Sequence, residues 1–244
     1  MAISRPSVSA VCPVILLADV SNRQMNGKWV ASPCGAIDVA LRSSLGVLRN
    51  LNSNNRSIKF NVAVMVFGAI FEWMGGNSLV APEQLLNSWR TIGNNYGNKS
   101  TMTNVFTELN EVMSSGQFMH NAGGNVNPVI ILLSDGRVLG NELSRMSKNV
   151  WYNYSIKIVV RCASGAPNSV EKGFLNNFTG NKKLIFDFCS LLQNANGVSS
   201  ILPNVLTNVS SSILTSSSYA GSSRSTIQSS AISSLEHLWD TLHR

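Results

Sequence analysis

Two continuous apolar runs, each closed by an acidic residue at a polar turn, constrain this chain more than anything else in it. Val14-Ile15-Leu16-Leu17-Ala18 runs into Asp19, and Val129-Ile130-Ile131-Leu132-Leu133 runs into Ser134-Asp135-Gly136. A strand with one wet face alternates apolar and polar residues. A short unbroken apolar run bounded by turn residues instead marks a strand covered on both faces, as in a parallel sheet flanked by helices. After the first run, Ile37, Ala40, Leu41, Leu45, Leu48 and Leu51 recur at the spacing of a helix packed on such a sheet. Residues 62–67 read as a second strand and 69–74 as a third. Gly68 between them predicts a tight reversal, which makes the third strand an antiparallel edge.

Further along, 104–113, 142–149, 170–178 and 202–209 carry helical patterns, and Pro82 opens a short helix over 82–89. Strands are expected at 129–133, 155–161 and 183–188. The alternation predicts an α/β fold: a doubly wound, mostly parallel six-stranded sheet with helices on both faces and one antiparallel edge strand. This Rossmann-like unit is expected to span 1–213. Composition shifts after about residue 207, where Ser and Thr crowd the chain, and 214–230 reads as a flexible Ser-rich linker. Over 231–244 a short amphipathic helix returns, with Leu235, Leu238, Trp239 and Leu242 on one face. That stripe is expected to dock either on this domain or on a partner.

Charge narrows the function classes. The net charge is +7 and the pI near 9.5, yet the basic residues are scattered, and the one adjacent pair is Lys182-Lys183. Nucleic acid is not an expected partner on that distribution. The four cysteines form no CxxC pair and have no histidine close by, which argues against zinc and against a disulfide framework. No apolar run approaches the length of a membrane span. The N-terminal run meets Asp19 with no cleavage pattern, so it reads as a strand, and the chain is expected in the cytoplasm.

The chemistry-bearing candidates are Asp19 and Asp135, two of only five aspartates, each just past a central strand. Ligands of open α/β sheets sit beyond the carboxyl ends of strands, where the strand order reverses. If the two strands are neighbours there, two carboxylates at about 6 Å and an effective dielectric near 20 repel by on the order of 3 kcal/mol. A cation is expected between them. Oxygen donors favour Mg²⁺ or a similar hard ion. Ser21 supplies a hydroxyl from the Asp19 loop, and Thr103 supplies another or caps the helix that follows it. Turn and capping chemistry alone is the plainer account of both aspartates.

These residues carry a family resemblance. Asp19-Val20-Ser21 resembles the start of the DxSxS motif of von Willebrand factor A domains. Thr103-Asn104-Val105 resembles the family's metal-site threonine, and Ile130 to Gly136 its strand-plus-DG motif. Order and spacing agree over about residues 11 to 213. Within the family, Leu175 to Gly180 and the Ser-rich end are similar to bacterial tellurite-resistance proteins of the TerY type. The resemblance implies a non-enzymatic protein-binding module with a metal-ion-dependent adhesion site. Asp19, Ser21 and Thr103 would hold Mg²⁺, Mn²⁺ or Ca²⁺, Asp135 would keep the site acidic, and a partner's acidic residue would complete the coordination. It also implies a stress-response or signalling assembly whose partners include a Ser/Thr kinase or a PP2C-type phosphatase. The motif is incomplete, because Arg23, or Gln24 after a one-residue shift, stands where the family has its second serine. Met102 precedes the threonine in place of a small residue. Arg23 is therefore a competing internal cation for Asp19 or Asp135.

Two other readings stand beside this one. A scaffold could act through its Ser/Thr-rich tail and C-terminal helix, with an Arg-neutralised, metal-free site. A metal-dependent, phosphatase-like hydrolase of the haloacid-dehalogenase kind needs a second aspartate two residues after the first, where this chain has Ser21. No GxxxxGK[ST] or GxGxxG loop is present, and His120, His237 and His243 lie in a predicted loop and the tail, away from Ser21.

Overall fold

A computed structural model describes residues 10–25, 28–30, 34–55, 57–98, 102–115, 126–134, 142–162, 166–187, 201–217 and 223–243. Its strands are β1 (Ala10–Asp19), β2 (Arg23–Met25), β3 (Lys28–Val30), β4 (Ile58–Phe67), β5 (Phe71–Met74), β6 (Val129–Ser134), β7 (Ile156–Arg161) and β8 (Ile185–Asp187). The helices are α1 (Cys34–Asn54), α2 (Pro82–Asn87), α3 (Met102–Ser114), α4 (Glu142–Met146), α5 (Val150–Tyr154), α6 (Ser169–Thr179), α7 (Ile201–Ser217) and α8 (Arg224–Leu242). Six strands form one sheet in the order β5-β4-β1-β6-β7-β8, while β2 and β3 make a separate antiparallel hairpin. Only β5 runs antiparallel in the main sheet, beyond the Gly68 reversal. The expected doubly wound α/β architecture is present.

The chain leaves β1 toward β4 on one side and later returns to place β6 on the other. Right-handed crossovers in opposite directions put their helices on opposite faces. Accordingly α1, with Ile37, Leu41, Leu45 and Leu48, packs on the face formed by Val14, Leu16 and Ala18. The other face, built on Ile15 and Leu17, takes Val105, Phe106 and Leu109 of α3, Met146 of α4, Tyr152 of α5 and Phe178 of α6. The β1/β6 boundary is thus the point where the strand order reverses.

The C-terminal region differs from expectation. Residues 207–217 belong to α7, and the last helix starts at Arg224 instead of 231. Of the expected linker 214–230, residues 218–222 lie outside the described set, and the described remainder is helical apart from Ser223. The Ser-rich composition hid an apolar stripe, because Val205, Val209 and Ile213 of α7 and Ile227, Ala231 and Leu235 of α8 all enter the α1-side core. Small serines let the two helices approach closely: Ser210 and Ser216 are buried, and the Ser212 and Ser230 hydroxyls lie 3.2 Å apart. Leu238, Trp239 and Leu242 pack against the same core. Of the two docking sites expected for this stripe, the structure shows the first: Leu235 is buried in the chain's own core, and Leu238, Trp239 and Leu242 are partly buried against it. Trp239 Nε1 donates to the Ile185 carbonyl at 3.1 Å, and Asp240 pairs with Lys183 at 2.9 Å, so α8 also shields the β8 edge. No helix among the described residues is long and apolar enough to cross a membrane.

Candidate functional site

Register decides what the carboxyl edge of the sheet presents. Asp19 stands opposite Phe67, Ser134 opposite Arg161 and Arg161 opposite Asp187, and the β1–β6 ladder ends at Ala18 opposite Leu133. The next rung sets Asp19 beside Ser134. Side chains alternate along a strand, so each of these residues inherits the face of the residue two before it. Leu17, Leu132, Val159 and Ile185 all lie on the α3 side. The edge therefore presents Phe67, Asp19, Ser134, Arg161 and Asp187 in one row on that side.

Asp19 is 4% exposed, and its carboxylate is held from two strands. Oδ1 accepts the Ser21 backbone N–H at 3.0 Å and the Ser21 hydroxyl at 2.6 Å, closing an Asx-type turn. Oδ2 accepts the Ser134 hydroxyl at 3.2 Å. The turn is braced on both sides: Val20 N–H donates to the Phe67 carbonyl at 2.8 Å, and the buried Cys34 thiol lies 3.8 Å from the Val20 carbonyl. Asn22 N–H then reaches the Gly97 carbonyl at 2.9 Å, and its side-chain amide reaches Asn98 Oδ1 at 2.8 Å.

Thr103 lies in the first turn of α3, whose body covers the same face of the sheet. Asn98, five residues before Thr103, is tied to Asn22 beside the Asp19 turn. Thr103, Arg23 and Gln24 are described through their backbones, and Arg23 opens β2 directly after Asn22. Asp135 lies outside the described residues; Ser134 places the end of β6 next to Asp19. The structure thus brings Asp19, Ser21 and the end of β6 to one edge. Leu235, Leu238, Trp239 and Leu242 belong elsewhere, against the α1-side core.

Several contributors were not expected. Ser134 is fully buried and spends its hydroxyl on Asp19. Arg161, 2% exposed, pairs with Asp187 at 2.9 Å and fixes a cation two strands from Asp19, roughly 10 Å at the usual strand spacing. Asp38 is 2% exposed in α1 and accepts from Trp89 Nε1 and Ile92 N–H. Tyr96 sits over the β4–β5 reversal and donates to Glu72 at 3.3 Å; burial first, then the Glu72 carboxylate, raises its phenol above the ordinary value. Parity along each strand could have exposed Ser134 and Arg161. Asp38 could have been found as a charge inside the Cys34–Ile37–Leu41–Leu45 stripe.

The donor set can be tested against a hard cation. Each hydroxyl gives its proton to Asp19 and keeps lone pairs to offer. The described donors are one carboxylate and two hydroxyls, all oxygen, a set that suits Mg²⁺, Mn²⁺ or Ca²⁺. Among the described residues no group of three or more His, Cys, Asp or Glu side chains comes together.

No family model and no curated protein matches the chain. Among solved structures it is similar to proximal thread matrix protein 1 from the mussel byssus, at a TM-score of 0.52 and 14% sequence identity. The likeness covers 81% of this chain and 47% of the mussel chain, so this chain spans about half the length of the structure it matches. At that identity it is a likeness of fold.

Proposed function

We propose that this chain is a non-enzymatic protein-binding module that takes an acidic group of its partner through a hard divalent cation at the carboxyl edge of β1 and β6. The observation that carries the reading is the Asp19 carboxylate, held by the Ser21 and Ser134 hydroxyls where the strand order reverses. Asp19 and Ser21 would hold the ion, with Thr103 joining them and Asp135 keeping the site acidic, as the resemblance to von Willebrand factor A domains implies. A bound Mg²⁺, Mn²⁺ or Ca²⁺ supplies a Lewis-acidic position open to a carboxylate. The Asx turn and the Ser134 contact pre-orient the carboxylate, so little ordering remains when the site fills. A net charge of +7 favours acidic partners by steering. A Ser/Thr kinase or PP2C-type phosphatase in a tellurite-resistance-like stress or signalling assembly is the partner class taken from the same resemblance.

The test is thermal unfolding of EDTA-stripped protein with and without millimolar Mg²⁺ or Mn²⁺, beside Asp19→Asn. Asparagine retains an acceptor for Ser21 and removes the charge. A ligand at a hundredfold excess over Kd stabilises by about 2.7 kcal/mol, which for a chain of this size raises Tm by roughly 5–10 °C. A rise in the wild type and none in Asp19→Asn is expected; equal behaviour of the two proteins removes Asp19 as the ion's ligand. Capture on immobilised acidic peptides, present in Mg²⁺ and lost in EDTA, reads the partner half.

A further inference from the structure

We infer that Asp38, buried in the core-facing stripe of α1, is a positioning residue that sets the loop bracing the Asp19 turn. The inference rests on the cation-site reading above. Residues 88–98 between α2 and α3 contain no helix or strand, so no regular ladder fixes them. One end is held by core packing of Trp89 and Ile92 and by a buried carboxylate: Asp38 Oδ1 accepts Trp89 Nε1 at 2.9 Å and Ile92 N–H at 3.0 Å, while Oδ2 pairs with Arg42 at 2.9 Å. At the other end the Tyr96 carbonyl takes Ala69 N–H at 2.5 Å, the Gly97 carbonyl takes Asn22 N–H, and Asn98 takes the Asn22 amide. Asn22 adjoins Ser21, whose N–H and hydroxyl hold Asp19.

Physical economy points the same way. A carboxylate buried in the apolar stripe of a helix is costly to desolvate, and an apolar side chain there would pack without that cost. What Asp38 supplies that leucine cannot is an acceptor for two N–H groups of the segment leading to the site and to the first turn of α3. The carboxylate acts through Trp89 and Ile92 on Asn22, and through Asn22 on the Asp19–Ser21 turn.

The experiment uses the full chain and two readouts: deuterium uptake at Ile92 and Asn22 in ion-free protein, and Mn²⁺ affinity from water-proton relaxation. Asp38→Leu is expected to speed exchange at both amides and weaken Mn²⁺ about tenfold, the scale of one or two lost hydrogen bonds. Asp38→Asn keeps an oxygen acceptor for both donors and should restore both readouts to near wild type. Leu235→Ala, which lowers stability far from the loop, should leave Mn²⁺ affinity unchanged. If Asp38→Leu does not fold, Trp89→Phe removes one of the two donors and should give a smaller change in the same direction. Unchanged exchange at Asn22 in Asp38→Leu, or an Asn variant no better than Leu, overturns the inference. If the wild type binds no Mn²⁺, the cation reading fails, and the exchange contrast at Asn22 still decides whether Asp38 positions the turn.

Discussion

Leu235→Ala tests whether α8 is part of the folding unit or an appended tail. Leu235 is fully buried and continues the α8 stripe of Ile227 and Ala231 at i, i+4 spacing, against a core that includes Val205, Val209 and Ile213 of α7. Removing its three outer carbons loses about 0.8 kcal/mol of transfer energy each, and the cavity adds to that, so about 3 kcal/mol is expected within the usual span for such sites. In a domain of this length each kcal/mol moves Tm by about 2–4 °C, which gives a fall of about 6–12 °C. The assay is thermal and urea unfolding followed by far-UV circular dichroism, with Thr241→Ala on the exposed side of α8 as the control. One cooperative transition, shifted as a whole with an unchanged denaturant slope, is expected. A main transition within about 1 °C of wild type would refute the docking of α8 on the core, since that much burial cannot be lost without a stability change.

Two further predictions follow from local geometry. A Cβ on Gly68 would lie 2.3 Å from the Tyr96 carbonyl oxygen and 2.7 Å from its Cβ, so Gly68→Ala must push the 96–97 backbone away. The loss of about two hydrogen bonds, on the order of 2 kcal/mol, should appear in urea unfolding, while Gly46→Ala in the body of α1, with nothing within 4 Å, should gain about 0.5–1 kcal/mol. Burial lowers the Lys157 pKa below its ordinary 10.5; its ammonium also donates to the Tyr152 carbonyl at 3.0 Å. The unfolded chain then holds the Lys157 proton to higher pH than the folded one, so this residue makes stability rise as pH climbs from the folded value toward 10.5. Lys157→Met should flatten that rise in urea titrations kept below pH 10, the ordinary tyrosine value, above which the raised phenols of Tyr96 and Tyr152 act in the opposite direction. An undiminished slope in the variant would refute the assignment.

The fold was legible because its strongest signals are local. Unbroken apolar runs at β1 and β6, the period of α1 and the glycine before β5 each follow from burial or sterics within a few residues. The C-terminal helices were misjudged because Ser and Thr depress the mean hydropathy of a window while the stripe of Val205, Val209, Ile213, Ile227 and Leu235 survives beneath it. Helix–helix packing rewards small residues at close approach, which composition scores as disorder. The hairpin β2–β3 carries no apolar alternation, and its sequence signal is the two-residue Asn26-Gly27 step between Met25 and Lys28.

The candidate site was legible in its residues and illegible in its support, and the reason is parity. Asp19 and Ser21 follow from a strand end and a turn. That Ser134 meets Asp19 requires knowing that β1 and β6 are adjacent and in which register, a fact fixed by the direction of each crossover and not by either strand alone. Once adjacency is known, alternation does the rest: Leu17 and Leu132 lie on the α3 side, so Asp19 and Ser134 must lie there too. A one-residue slip of β6 would turn Ser134 toward α1 and bring Leu133 to the α3 side. The apolar demand of two opposite cores therefore holds the Asp19–Ser134 contact in place. The site inherits its geometry from the burial of Leu17 and Leu132, and any cation it takes is positioned by the same constraint that packs the sheet.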